Sequence, residues 1–202
     1  MKKFKIFIMF MAALCAVSAV AWAGCADNEK QPSDDIGGNE QGGGEEPTVG
    51  TEVGDICPDF SVKTYFDAND GTFTLDDCKG KVTVINFWYT QCSPCISEMP
   101  YFVQLSNEQE DVQVLVVHSA TNIPKDGKVS DFIEDKGWTD SSIIFCQDDP
   151  TADVAAYDTL GGVDSFPYTV VIDAEGIIAH KFDSAKIESY DELLDPVLDA
   201  MK

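Results

Sequence analysis

The sequence predicts an α/β domain with a mixed central sheet flanked by helices. Three observations predict it. Apolar, β-branched runs of strand length recur from about Val53 onward. Stretches with helical spacing separate them. Two late runs are joined by a tight turn ending in Gly176, and a last helical stretch closes the chain. Strands alternating with helices favour parallel pairing, and a late hairpin adds antiparallel pairing.

The elements follow in order. Val82 to Tyr89 is almost wholly apolar and reads as a buried central strand. Val112 to His118 is a second such run, and Ser142 to Phe145 a short third. Tyr168 to Ile172 and Ile177 to Phe182 form a fourth and fifth, linked by Asp173-Ala-Glu-Gly176 as a hairpin turn. Helices are expected near residues 94–108, 128–136, 151–158 and 188–201. In the last, Tyr190, Leu193, Leu194, Val197, Leu198 and Met201 are spaced for one buried face.

The N-terminal quarter differs in kind. Lys2, Lys3 and Lys5 precede an uncharged apolar run from Ile6 to Ala23, and polarity switches at Cys25. This is an export signal over residues 1–24. Ala23-Gly24-Cys25 fits a lipobox, with Cys25 as the lipidated first mature residue, although Trp22 stands where an aliphatic residue is usual. Cleavage after Ala23 and an uncleaved anchor are the alternatives. All three place the domain outside the cytoplasm, with the lipoprotein reading preferred. Residues 25–50 carry Gly37-Gly38, Gly42-Gly43-Gly44 and seven acidic side chains between Asp27 and Glu46. That composition predicts a disordered acidic linker. The domain then spans residues 51–202. Over the chain, 36 acidic residues face 13 basic ones, for a net charge of −23, and every basic residue is Lys. Such a surface repels phosphate backbones, so nucleic acid is excluded as a partner.

Seven cysteines are present. Cys92-Ser93-Pro94-Cys95 carries the chemistry, because it follows a strand and opens a helix. A helix start presents unpaired N–H groups and a positive dipole end, both of which favour a thiolate. Thiols in such settings have pKa values lowered to about 3.5–7.5, against about 8.5 for a free Cys. Cys92, at the tip and more exposed, is the expected nucleophile. Cys95, one turn inward, is expected to resolve the mixed disulfide. Pro94 is tolerated in the first turn, where its missing N–H would be unpaired. A zinc site would need a second Cys/His pair, whereas His118 and His180 stand alone. No cofactor or metal is expected.

Further motifs resemble one family. Cys57-Pro58-Asp59-Phe60, Phe73-Thr-Leu75, Gly80-Lys81-Val82, Asn86-Phe87-Trp88, the Cys92/Cys95 pair and Glu98-Met99-Pro100 occur in order. Phe166-Pro167-Tyr168-Thr169, Val171-Ile172-Asp173 and Gly176 complete the set. Together they resemble the TlpA/ResA-type branch of the thioredoxin superfamily, related to the AhpC/TSA redoxins. The resemblance covers essentially the whole domain. It implies a thioredoxin fold with an extra N-terminal β-hairpin, and exported thiol–disulfide exchange with protein substrates. It assigns Glu98 a role in proton handling. It makes Pro167 a cis-proline facing the cysteine pair, with the backbone of Phe166 offered to an extended substrate. Exported relatives often act as reductants fed by a membrane electron-transfer protein, which is the direction expected here, for a monomer. Gln91 departs from the family's usual Trp, which bears on partner choice.

Two other functions compete. A thiol peroxidase of the redoxin type wants Pro and Thr seven and three residues before its Cys, where this chain has Ile85 and Tyr89, and it wants an Arg. A copper chaperone on the same fold uses a Cys pair one residue further apart. Cys57 and Cys78 are either a disulfide or small buried residues. Cys146, after the third strand, and His118, ending the second, read as packing residues.

Overall fold

The computed structural model describes residues 47–66, 71–121, 128–149, 155–162, 165–183 and 186–202. The export signal, Cys25 and most of the linker lie outside them. The strands are β1 (Ser61–Thr64), β2 (Thr72–Thr74), β3 (Val82–Trp88), β4 (Val112–His118), β5 (Ile144–Asp148), β6 (Tyr168–Ile172) and β7 (Ile178–Phe182). The helices are α1 (Ser93–Glu108), α2 (Val129–Asp135), α3 (Ala156–Thr159) and α4 (Tyr190–Ala200). Among the described residues no helix is long and apolar enough to cross a membrane.

The strands form one mixed sheet in the order β2-β1-β5-β4-β3-β6-β7. All seven residues of β3 are buried, as its mostly apolar run suggests for a strand covered on both faces. It runs parallel to β4, from Val82 opposite Val112 to Trp88 opposite His118. It runs antiparallel to β6, from Thr83 opposite Ile172 to Phe87 opposite Tyr168. Side chains alternate between faces. Val84 and Trp88 join Met99, Phe102 and Leu105 of α1 and Leu193 and Val197 of α4 in one core. Ile85 and Phe87 join Leu115, Val170, Tyr157 and Leu160 in the other.

The N-terminal hairpin is β1 and β2, antiparallel, with Val62 opposite Phe73. It extends the sheet beyond β5, where Thr64 meets Cys146. The turn between β6 and β7 is tied by Asp173, whose Oδ1 accepts from the N–H groups of Glu175 and Ile177 at 3.0 and 2.8 Å. Gly176 there has φ 88°, a conformation that suits a residue without Cβ.

Several boundaries differ from the sequence reading. The third strand begins at Ile144, so Cys146 lies inside β5 and points into a core rather than following the strand. Partnering by β1 on one side and β4 on the other extends that strand through polar Gln147 and Asp148. Helix α3 has four residues, and the earlier part of the expected helix, 151–154, lies outside the described residues. The buried face of α4 is narrower than its apolar pattern. Leu193 and Val197 are buried, but Leu198 and Met201 are about 40% exposed. Gly50 donates to the carbonyl of Ile56, and Ile56 to that of Thr48, so the last residues assigned to the linker already bond to the domain.

Candidate active site

The chain leaves β3 through Tyr89, Thr90 and Gln91, and Cys92 N–H donates back to the Tyr89 carbonyl at 3.0 Å. Cys92 is the N-cap of α1, with extended backbone, and its Sγ accepts from the N–H of Cys95 at 3.2 Å. Pro94 sits in the first turn, where no N–H is missed. Cys92 and Cys95 are joined in a disulfide, with Cα atoms 5.3 Å apart. Cys92 is 2% exposed and Cys95 not at all. Both residues are buried, so the exposure expected of Cys92 is not seen, although Cys95 lies one turn inward and Cys92 does stand at the helix tip. Its neighbours Gln91, Ser93 and Pro94 hold the exposed positions around it.

The second landmark lies at the start of β6, the strand that pairs with β3. The pairing of Phe87 with Tyr168 places the end of β3 beside the start of β6. The Phe166–Pro167 bond is cis, and Pro167 immediately precedes β6. Phe166 meets Tyr89 edge-on, with ring centroids 5.3 Å apart, and stacks on Tyr157 at 4.6 Å. Phe166 is half-buried. Its ring borders a cleft of about 290 Å³ that Ser119, Asp148 and Tyr157 also line. Asp148 is occupied structurally, accepting from the N–H groups of Ala156 and Tyr157 at 2.8 and 3.1 Å.

Glu98 is fully buried, on the core side of α1 and one turn beyond Cys95. A surface glutamate is thereby ruled out. Its Oε1 accepts from Asn86 Nδ2 at 3.0 Å and its Oε2 from Ile187 N–H at 3.1 Å. Burial pushes its carboxyl up to about 7, against the pull of those two donors and of Lys186. Asn86 also donates to Thr169 Oγ1 at 2.9 Å, across the β3–β6 pair. In the sequence Asn86 and Thr169 stand out only as parts of motifs, and neither is a functional candidate there. The available signal is a polar amide at a core-facing position of a mostly apolar strand, which needs a partner.

The other candidates are packing residues. His118 is buried, with Nε2 accepting from Thr90 N–H at 3.3 Å and Nδ1 3.0 Å from the Ser119 carbonyl. Burial lowers its pKa to about 4, so it stays neutral. Cys57, Cys78 and Cys146 are free and buried, which decides the open question of Cys57 and Cys78 in this structure. Burial pushes their thiols up to about 12, 11 and 12. In reduced, folded protein at pH 8 these three are expected to alkylate at least ~10³-fold more slowly than Cys92, with peptide mapping as the readout. Labelling of Cys57 or Cys78 as fast as Cys92 would contradict their assignment as inert thiols.

A cysteine pair bridged at a helix start, in a mixed-sheet domain whose β6 is entered through a cis-proline, defines a thiol–disulfide oxidoreductase of thioredoxin fold. The Redoxin family model matches residues 52–195, and the chain belongs to that family, in its TlpA/ResA-like branch. It is 34% identical over 131 residues to the thioredoxin-like protein YneN of Bacillus subtilis, covering 64% of this chain and 71% of that protein. It is 33% identical over 150 residues to the thiol-disulfide oxidoreductase ResA of Geobacillus kaustophilus, covering 71% and 79%. Among solved structures, the exposed lipoprotein thioredoxin of Streptococcus pneumoniae superposes with a TM-score of 0.51 at 25% identity, covering 70% of this chain and 98% of that one.

Proposed function

We propose that the protein reduces disulfides of exported proteins, with Cys92 as nucleophile, Cys95 as resolving thiol and Glu98 as the base for Cys95. The observation that carries the assignment is the Cys95 N–H aimed at Cys92 Sγ from the first turn of α1. The same donor and the helix dipole stabilise a Cys92 thiolate once the pair is reduced.

The thiolate attacks one sulfur of the substrate disulfide. A Cys92–substrate bond forms, and the other substrate sulfur leaves as a thiolate. Cys95 then passes its proton to the Glu98 carboxylate and attacks Cys92 Sγ. The Cys92–Cys95 bond forms, and the first substrate sulfur departs and takes up a proton. A carboxyl held near neutrality by burial suits that exchange. The covered position of Cys92 requires a substrate segment to be laid against it. The backbone at Phe166 and Pro167 would hold that segment in extended form.

The oxidised enzyme must be reduced again, and a membrane electron-transfer protein is the donor class we infer. The export pattern of residues 1–24 and a lipid on Cys25 would keep the domain at the outer face of the membrane, tethered by the segment 25–50. The similarity to an exposed lipoprotein thioredoxin supports this placement.

The test is capture. Cys95→Ser, expressed with its export signal, should accumulate as mixed disulfides through Cys92, released by dithiothreitol, and the captured proteins name the pathway. Redox equilibration with glutathione should put the pair nearer ~−270 than ~−120 mV. Equal capture by Cys92→Ser would overturn the division of labour, and a potential near the oxidising limit would overturn the direction.

A further inference from the structure

The buried amide beneath the cysteine helix is unevenly satisfied. Asn86 is fully buried, and both bonds of its Nδ2 are used, to Glu98 Oε1 and Thr169 Oγ1. Its Oδ1 has no partner among the described residues. A buried polar atom left without a partner is costly, so its presence in the centre of β3 calls for an explanation.

We propose that Asn86 is a positioning residue for Glu98, turning its amide over so that it donates to the carboxylate and accepts from the carboxylic acid. The proposal rests on the assignment of Glu98 as the group that takes the Cys95 proton. Nδ2 lies against Glu98 Oε1 here, the arrangement that suits an ionised carboxylate. Transfer of the proton from Cys95 Sγ to Glu98 converts one carboxyl oxygen from acceptor to donor. A fixed Nδ2 would then oppose an O–H. Rotating the amide by half a turn brings Oδ1 to the same place, where it accepts from Glu98. Thr169 follows without moving, because a hydroxyl both donates and accepts. Oδ1, the far end of the amide, has no partner among the described residues, so none of them pins its orientation, and the half-turn places the NH₂ hydrogens there instead. Ile187 N–H donates to Oε2 throughout.

The charged groups acting on the carboxyl are few. Lys186, next to Ile187, and Glu192 of α4 act on it from one side, and Cys92 and Cys95 are titratable on its own helix. Among the described residues β3 brings the neutral Asn86 to it, and β6 brings the neutral Thr169 to Asn86. The disulfide form removes the cysteines from the titration and leaves the amide as the adaptable partner.

The experiment follows the Glu98 side-chain carboxyl by carbon NMR across pH in the oxidised full chain, with the Asn86 amide protons observed in parallel. In the parent protein the contacts of those protons to Thr169 should weaken as Glu98 takes its proton. Asn86→Leu, similar in size but without a donor, should raise the Glu98 midpoint by about one pH unit, a tenfold gain in proton affinity. Thr169→Val removes one partner from each amide orientation and should leave the midpoint nearly unchanged while lowering stability. An unmoved midpoint in folded Asn86→Leu, or amide contacts constant through the titration, overturns the proposal. Glu98→Gln separates it from the reading beneath it. If that variant keeps the parent's pH profile of insulin reduction while Asn86→Leu still moves the midpoint, the base assignment fails and the coupling stands.

Discussion

Cys92→Ser is expected to abolish disulfide exchange, with insulin reduction falling at least ~10³-fold to the uncatalysed rate. A serine hydroxyl at the same N-cap position keeps the hydrogen bond from Cys95 N–H, so the helix start should remain folded. What is lost is an atom that ionises near neutral pH and attacks sulfur. Cys95 does not substitute for it, because Cys95 is fully covered and one turn further into α1. Cys95→Ser has the opposite signature: multiple turnover disappears, but one stoichiometric attack on a disulfide persists. In that variant, Cys92 should react with iodoacetamide at a rate that levels off below pH ~7.5, as a depressed thiol does. A rate still rising at pH 8.5, with insulin intact, would remove the basis of the mechanism.

The second large effect concerns stability. An unfolded glutamate loses its proton around 4.5, while buried Glu98 holds it to about 7. Between those values the folded protein binds a proton that the unfolded chain has released. The associated stability is complete below pH ~4.5 and is lost as pH rises through 7, by on the order of 3 kcal/mol. Glu98→Gln does not titrate and avoids that loss. Its carbonyl can still accept from Ile187 N–H, and its NH₂ can meet the Asn86 carbonyl. The variant should therefore match the parent in acid and exceed it by ~2–3 kcal/mol at pH 8, read from urea midpoints of the oxidised proteins. His118 acts in the reverse sense, being depressed to about 4 and costing stability as pH falls below the unfolded value of 6.5. The parent–variant difference cancels it. Parallel curves for the two proteins from pH 4.5 to 8 would show that Glu98 does not carry a raised pKa.

Much of this organisation was legible in the residues. β3, β4 and β6 declare themselves because a strand covered on both faces is mostly apolar, and their observed limits fall within a residue of that pattern. Helix α1 begins where the Cys-Ser-Pro-Cys run says it should. The cis bond before Pro167 followed from family resemblance, since proline alone favours trans. What stayed hidden depends on pairing across the sheet. Gln147 and Asp148 look like loop residues until β1 and β4 partner them. Leu198 and Met201 have the spacing of buried residues, but α4 overhangs the core that Leu193 and Val197 fill. The contact of Asn86 with Thr169 spans 83 positions in the chain and appears only once the β3–β6 register is known. Burial of Glu98 likewise needs the segment at Ile187 folded over it.

Joining the two halves of the centre through an antiparallel ladder has a consequence for change over time. Their spacing is inherited from rungs such as Phe87–Tyr168, in the interior, and not from the loops that carry them. Gln91, Ser93 and Phe166 can therefore be exchanged, altering clientele or driving force, while the scaffold keeps its dimensions. A single-residue slip of that ladder would instead move every side chain of one strand to the opposite face and dismantle the whole apparatus at once.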